Sequence, residues 1–544
     1  MKKITGLIIM VCLVFSAMYS QTAAIPHLKT QGNTTQLMVD GQPYLILGGE
    51  LGNSTFTSVE NMAPVWPKLK TMNLNTILAP VFWELIEPTE GDFDFKLLDE
   101  LIFEARKHEF KLVLLWFGSW KNSMSSHAPA WVKINDEKYP RIKDENGVSH
   151  EILTPFSKEN LQADLNAFKA LMQHVKDIDS QEHTVILIQP ENEIGMLPSA
   201  RDYHPLANKN FHQKVPKDLL KYLEKNKDDL VPEFHDVWKE NGFKTSGTWE
   251  EVFGKGLHTD EIFMAWYYAV FTNELVEAGK AIYPLPMFVN AALNRPGRKP
   301  GEYPSAGPLP HLMDVWKAGA PAIDFLSPDF YNPRFEHWND LYTRQNNPLF
   351  VPEHRFDHTV AAKAAFAIGH YEAIGFSPFS IESKPAPEEE ELGKMYDLLD
   401  QLTPLITENH GKGRVEGVLL DKEKQESKLV FGKYEFTVKH SYTTGWDAEA
   451  QKHKDDWIPA GAVFIHTDEN EFYIAGSGVV VTFKNLEDSN MKVGILKNEE
   501  GSFKNGDWKV LRHLNGDQIH QGRHIRIFRG NYVIQRLALY DYKK

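Results

Sequence analysis

From about residue 35 to 385 the chain alternates short, continuous apolar runs with segments whose apolar residues recur at helical spacing. Ile77 to Trp83, Leu112 to Phe117 and Val185 to Ile188 are runs of the first kind. Between them, Leu97, Leu98, Leu101, Ile102 and Ala105 share one helix face, as do Leu161, Leu165, Phe168, Met172 and Val175. Runs of four to seven apolar residues are strands buried on both faces, and helices between them make those strands parallel. We assign eight such strands, near residues 44, 77, 112, 185, 287, 323, 349 and 376. An open, doubly wound sheet is the structural rival, but no glycine-rich phosphate turn follows the first strand. The pattern therefore predicts a (β/α)8 TIM barrel over residues 25–405, closing with a helix that carries Met395, Leu398, Leu399 and Leu402. A charged, helix-rich insertion over about 200–265 follows the fourth strand, where long insertions commonly wall a binding cleft.

Beyond about residue 410 the period changes to that of strands. Leu429, Phe431, Tyr434, Phe436 and Val438 are spaced for half-buried strands, and Asn505-Gly506-Asp507 and Asn515-Gly516-Asp517 read as hairpin turns. Residues 410–544 are expected to form an all-β sandwich that packs on the barrel. Asp468 to Glu471 is acidic, but reads as a solvated turn between two strands.

Composition narrows the partners. At 544 residues, two folded units are expected. The formal charge of −15 argues against a nucleic-acid backbone as partner, since that requires a basic stripe. Lys2 and Lys3, the apolar run Ile4 to Phe15 and the small residues that follow have the order of a secretory signal peptide over 1–24. The run is short for a bilayer span, so no integral membrane segment is expected after cleavage, and the protein is expected to be periplasmic or extracellular. The single cysteine, Cys12, lies in that segment, which leaves no disulfide, cysteine nucleophile or thiolate metal site in the remainder.

Active sites of such barrels lie at the C-terminal ends of the strands. The fourth gives Gln189-Pro190-Glu191-Asn192-Glu193 and the seventh Val351-Pro352-Glu353-His354. The two strands face each other across the mouth, so one carboxylate from each can flank a bound sugar, the arrangement used for glycoside hydrolysis. Glu191 and Glu193 are both candidates on position alone. His354 and His358 stand four apart, but no third ligand accompanies them, and no metal or cofactor is expected. A serine hydrolase lacks its Gly-x-Ser-x-Gly elbow.

Asn192-Glu193 resembles the Asn-Glu signature of the clan A glycosidases. Pro80-Val81-Phe82-Trp83-Glu84-Leu85-Ile86-Glu87-Pro88-Thr89-Glu90-Gly91-Asp92-Phe93-Asp94-Phe95 is similar to the second-strand motif of glycoside hydrolase families 35 and 42, the β-galactosidases. The pattern with its all-β tail most resembles a bacterial branch of family 35. The resemblance implies that Glu193 is the acid/base, Glu353 the nucleophile, and Asn192 a ligand of the sugar 2-hydroxyl. It further implies that Tyr331 orients Glu353 and keeps it ionised, and that Glu50 begins the sugar pocket. Typical members carry an Ala-Glu pair after the third strand; here Trp120 and Lys121 stand in that stretch, and Lys121 can hydrogen-bond a sugar hydroxyl. Trp83 and Trp120 can line the pocket or fill the core. Glu84 and Glu87 read as loop braces, and Glu382 as a structural ion-pair partner. The implied function is retaining, exo-acting removal of terminal β-galactosyl residues from plant-type glycans. Another clan A glycosidase and a non-catalytic glycan-binding protein are the alternatives.

Overall fold

The computed structural model describes residues 24–544 apart from Trp446. The expected export segment, Cys12 included, lies outside the described residues but for residue 24. Eight parallel strands close into a barrel: Ile46–Glu50, Thr76–Phe82, Lys111–Lys121, Val185–Asn192, Phe288–Ala292, Phe325–Phe330, Phe350–His354 and Gly375–Pro378. A parallel bridge between Ile188 and Met287 joins the fourth strand to the fifth and completes the ring. Helices such as Lys96–Lys107, Lys158–Asp179, Leu257–Ile282 and Val360–His370 form the outer layer. No helix among the described residues is long and apolar enough to cross a membrane.

All eight strands fall where the apolar runs predict, with one shift of register. The first barrel strand begins at Ile46, because Tyr44 already pairs with Leu37 in a separate antiparallel sheet of His27–Gln31, Thr34–Val39 and Gln42–Tyr44. Leu37 and Val39 of that sheet join Ile46, Val113, Ile186, Phe288, Phe325 and Phe350 in one buried cluster. The rings of Phe288 and Phe325 stack at 5.3 Å between centroids, with Phe350 edge-on to Phe288 at 5.3 Å. The barrel interior is thus packed with side chains, leaving its C-terminal end for polar groups.

The insertion after the fourth strand folds as four short helices between Pro205 and Phe253. They dock on the outer helices: Tyr222 and the amide of Val231 meet Asp314, and Glu233 pairs with Arg344 at 2.8 Å. Among the described residues, none of their hydrogen bonds reaches the carboxylates described below. Glu233, Phe234 and Val237 of the insertion do line a cavity together with Asn294 and Pro300 of the loop after the fifth strand.

The C-terminal region is a sandwich of a six-stranded and a four-stranded antiparallel sheet. Its core carries Leu429, Phe431, Tyr434, Phe436 and Val438, the residues spaced for strands. Asn505 and Gly506, both at positive φ, form the two-residue turn between Met491–Lys504 and Asp507–His513. The second expected hairpin is not one. Asn515 caps a short 3-10 helix, Gly516–Ile519, because Leu514 and Ile519 on either side are buried in the sandwich. The sheet lies directly on the helix Val360–His370: a Cβ on Gly461 would meet Ala362 Cα at 2.5 Å, and one on Gly369 would meet Gly417 Cα at 2.7 Å. Only glycine permits so close an approach of strand and helix.

Candidate active site

The ladder between the third and fourth strands sets the geometry at the mouth. It is interrupted between Trp116 and Lys121, then resumes with Lys121 opposite Asn192. The interruption frees the amides of Ser119 and Trp120, which donate to the carboxylate of Glu191 at 3.2 and 2.7 Å. Asp164 takes the rest of this bulge, accepting from Trp116 Nε1 at 2.9 Å and Ser119 Oγ at 2.5 Å. Glu191 therefore braces the backbone. Both Glu191 and Glu193 have positive φ, 64° and 42°, values that are uncommon outside glycine and that cluster at functional sites. The turn they impose separates two side chains that a straight strand would point the same way.

Glu193 is buried, with its amide donating to Asn290 Oδ1 at 2.9 Å and its carboxylate accepting from Asn122 Nδ2. Asn290 uses its own amide group to donate to Asp329 Oδ2 at 2.6 Å. Glu353, also buried, accepts from the hydroxyl of Tyr331. One carboxylate oxygen from each of Glu193, Asp329 and Glu353 lies within 4.8 Å of the others, and among the described residues this is the one such group. Glu50 and Lys121 border the cluster, both buried. Lys121 Nζ sits 5.0 Å from the Phe117 ring centroid.

So many acids in one dry place cannot all ionise. Burial first, and the charge of Glu353 second, push Glu193 up to about 7, against an opposing pull from Lys121. The same two causes, in the same order, raise Glu50 and Asp329 well above the usual carboxylate range. Tyr331 is pushed up as well, by burial and then by Glu353, so it stays protonated as a hydrogen-bond donor. Buried polar atoms without a partner converge here: both amide atoms of Asn192, Glu50 Oε1, Asp329 Oδ1 and Glu353 Oε2. Native interiors satisfy such atoms, so their concentration marks a place built to hold a polar ligand. The three close carboxylates have spacing suited to a divalent cation, and Lys121 already contributes one positive charge beside them. His354 and His358 do not join them: His354 is buried, held by Arg355 O at 2.6 Å and Lys363 Nζ at 3.2 Å, whereas His358 is exposed.

Of the residues expected at the site, Glu50, Lys121, Asn192, Glu193, Tyr331 and Glu353 come together. Trp83 and Trp120 do not. Both are fully buried: Trp83 donates to Glu87 at 2.9 Å and packs edge-on to Trp131, and Trp120 donates to Leu153 O at 3.1 Å and packs on Tyr268 and Phe271. They fill the layer behind the strands, because the bulge after Trp116 turns the Trp120 ring outward. Glu87 braces its loop through the amide of Gly91 at 2.7 Å, and Glu382 accepts from the amide of Gly52 at 3.1 Å and from Thr55 rather than from a base. Asp329, Asn290 and Asn122 are the additions. Asp329 stands one residue before the end of the sixth strand and Asn290 in the middle of the fifth, so a search of every strand for polar residues, not of strand ends alone, finds them.

Residues 36–255 match the family described as glycosyl hydrolases family 35, and residues 392–526 match a domain of unknown function, DUF5597. Beta-galactosidase 14 of Arabidopsis thaliana is 29% identical over 211 residues, 37% of this chain and 22% of that protein. A beta-galactosidase of Xanthomonas manihotis is 33% identical over 93 residues, 16% of this chain and 14% of that protein. The matches thus span about a fifth or less of the curated relatives' length. The crystal structure of beta-galactosidase from the psychrophilic Marinomonas ef1 superposes with a TM-score of 0.45 at 14% identity, covering 67% of this chain and 60% of that one. The cold-adapted beta-galactosidase of Rahnella sp. R3 gives 0.46 at 14% identity, covering 69% and 58%.

Proposed function

We propose that the chain, whose residues 36–255 match glycosyl hydrolases family 35, is a retaining exo-β-galactosidase. It removes terminal β-galactosyl residues from plant-type glycans by double displacement. One observation carries the reading: oxygens of Glu193 and Glu353 lie within 4.8 Å. Retaining glycosidases hold their two carboxyls about 5–5.5 Å apart, whereas inverting ones need about 6.5–9.5 Å to admit a water.

Glu353 attacks the anomeric carbon, with Tyr331 holding one of its oxygens and the other free to form the bond. Glu193, held at about 7, supplies the proton that the departing oxygen needs. Once Glu353 is esterified its negative charge is gone, and the second-largest cause of the raised Glu193 value goes with it. Glu193 then loses its proton more readily and serves as the base that activates water. Asn192, its amide atoms unpartnered, suits the sugar hydroxyl beside the reacting carbon. The signal-peptide order of residues 2–24 supports export to the periplasm or beyond, which cell fractionation tests.

The experiment is nitrophenol release from aryl β-galactoside, β-glucoside and α-arabinoside by wild type and by Glu353→Ala with added azide. Galactoside cleavage, with the variant yielding α-galactosyl azide, supports both the mechanism and the nucleophile. Cleavage confined to another glycoside overturns the sugar assignment. Silence on every aryl glycoside by folded protein turns the reading to an internally cutting enzyme or a glycan-binding protein.

A further inference from the structure

The loop after the fifth barrel strand runs Asn294-Arg295-Pro296-Gly297-Arg298-Lys299-Pro300-Gly301-Glu302. It is two β-turns in tandem, each with proline second and glycine third. Arg298 N donates to Arg295 O at 3.1 Å and Glu302 N to Lys299 O at 2.9 Å, while Gly297 and Gly301 have φ of 76° and 90°. These are the marks of type II turns, which set Arg295, Arg298 and Lys299 at fixed corners. The loop's far end is pinned: a Cβ on Gly301 would meet Ser199 Cα at 2.8 Å, and Gly301 N donates to Ser305 Oγ at 3.0 Å.

This loop starts beside the carboxylates. Asn332, next to Tyr331, donates to Asn294 O at 3.1 Å and ties the loop to the one after the sixth strand. That second loop carries Arg334, and Arg355 follows Glu353 and its neighbour His354 on the seventh strand. Arg295, Arg298, Lys299, Arg334 and Arg355 are all exposed. Among the described residues, none of the five forms an ion pair, in a chain where acids outnumber bases 74 to 59. Acids nearby are otherwise engaged: Glu261 with His311 at 3.0 Å, Glu233 with Arg344 at 2.8 Å and Glu336 with Lys424 at 2.7 Å. Nor do these cations serve the buried carboxylates, since the cation acting on Glu193 is Lys121. Beside Asn294 and Pro300 of this loop lies a cavity of about 460 Å³ whose wall also includes Glu233, Glu261, His337 and Trp338; the five cations stand outside it, on the rim.

We propose that this rim binds an anionic sugar on the leaving-group side of the scissile bond, so that the preferred substrate is an acidic glycan bearing a carboxylate or a sulfate ester next to the galactosyl residue. Five exposed cations without a carboxylate partner, three of them on the rigid tandem turns, suit that ligand's charge. The turns have little freedom left to lose on binding. The proposal rests on the glycosidase reading and adds to it the charge of the substrate.

The test uses three disaccharides: galactosyl-β-1,4-glucose, the same with glucose C6 oxidised to a carboxylate, and the same with a sulfate ester at C6. At low salt, wild type should turn over an anionic member with kcat/KM about tenfold above the neutral one, three or four exposed pairs each supplying a factor of about two. The advantage should fall to about twofold or less in molar salt, where the screening length is about 3 Å, and likewise in Arg295→Gln/Arg298→Gln/Arg334→Gln. A gain with the carboxylate alone or the sulfate alone identifies the source of the charge. Equal turnover of all three, or an advantage that survives in the variant, overturns the proposal. Calorimetric titration of Glu353→Gln with the same three sugars reads binding without turnover. Tighter binding of an anionic member supports the proposal even where nothing is hydrolysed, an outcome that counts against the galactosidase reading alone. Equal binding, or none, overturns it.

Discussion

Replacing Glu193 by glutamine should stabilise the protein by an amount that grows as pH rises from about 4.5 through 7. Glu193 is held at about 7 against an ordinary value of 4.5. Between those values the folded state binds a proton that the unfolded chain releases, so stability falls as pH rises through that window. A rise of this size corresponds to about 3 kcal/mol at ~1.36 kcal/mol per pH unit, absent near pH 4 and fully developed above pH 8. Glutamine keeps the shape and can still accept from Asn122, but carries no charge to desolvate or to repel Glu353. If the barrel melts as one unit of roughly 400 residues, its unfolding entropy is about 0.8 kcal/mol/K, which makes the gain about 4 °C in Tm. Scanning calorimetry of wild type and Glu193→Gln from pH 4 to 8.5, at one scan rate, reads the difference. The variant should melt with wild type at pH 4 and above it at pH 8.5. A constant offset across the range, or a wild type more stable at high pH, would refute the assignment of a buried, proton-holding Glu193.

Tyr331→Phe removes the hydroxyl that donates to Glu353; bonds to charged groups are worth about 1.5–3 kcal/mol, so kcat should fall about 10- to 100-fold while the fold is kept. Trp120→Ala empties a fully buried site behind the third strand and should cost about 3–5 kcal/mol in urea unfolding; a loss confined to KM, at unchanged stability, would return Trp120 to the sugar pocket. Gly461→Val drives a side chain into Ala362 and should destabilise by about 1–3 kcal/mol, with proteolysis between barrel and sandwich as the readout. Glu193→Ala should lower turnover of unactivated galactosides by about 10²–10⁴, and far less for aryl galactosides whose leaving group needs no proton.

The barrel was legible because parallel strands are buried on both faces and stand out as uninterrupted apolar runs. The N-terminal sheet was not: Thr34–Val39 has only its last residues apolar, and what decides its place is that Leu37 and Val39 plug the barrel floor. The same kind of contact from afar made Asn515-Gly516 a helix cap rather than a hairpin. At the site, Glu193 and Glu353 could be named because each ends an apolar run, and Asp329 ends one too, in Leu326-Ser327-Pro328-Asp329. Residue type could not decide Trp83 and Trp120, since a tryptophan suits a sugar face and a core equally, and a bulge in one strand settles which side Trp120 takes. Asn122 lies at a positive φ just past that bulge, where strand periodicity no longer says which way a side chain points.

Of the four buried acids gathered at the barrel mouth, Glu353 is proposed as the nucleophile. A 2-deoxy-2-fluoro-β-galactosyl fluoride slows the second displacement more than it slows loading, so the covalent intermediate accumulates and can be located by peptide mass spectrometry. One fluorosugar per chain should be found, esterified to Glu353, with activity returning as the label turns over. A label on Glu193, Asp329 or Glu50, or a folded and galactoside-cleaving enzyme that is never labelled, would contradict it.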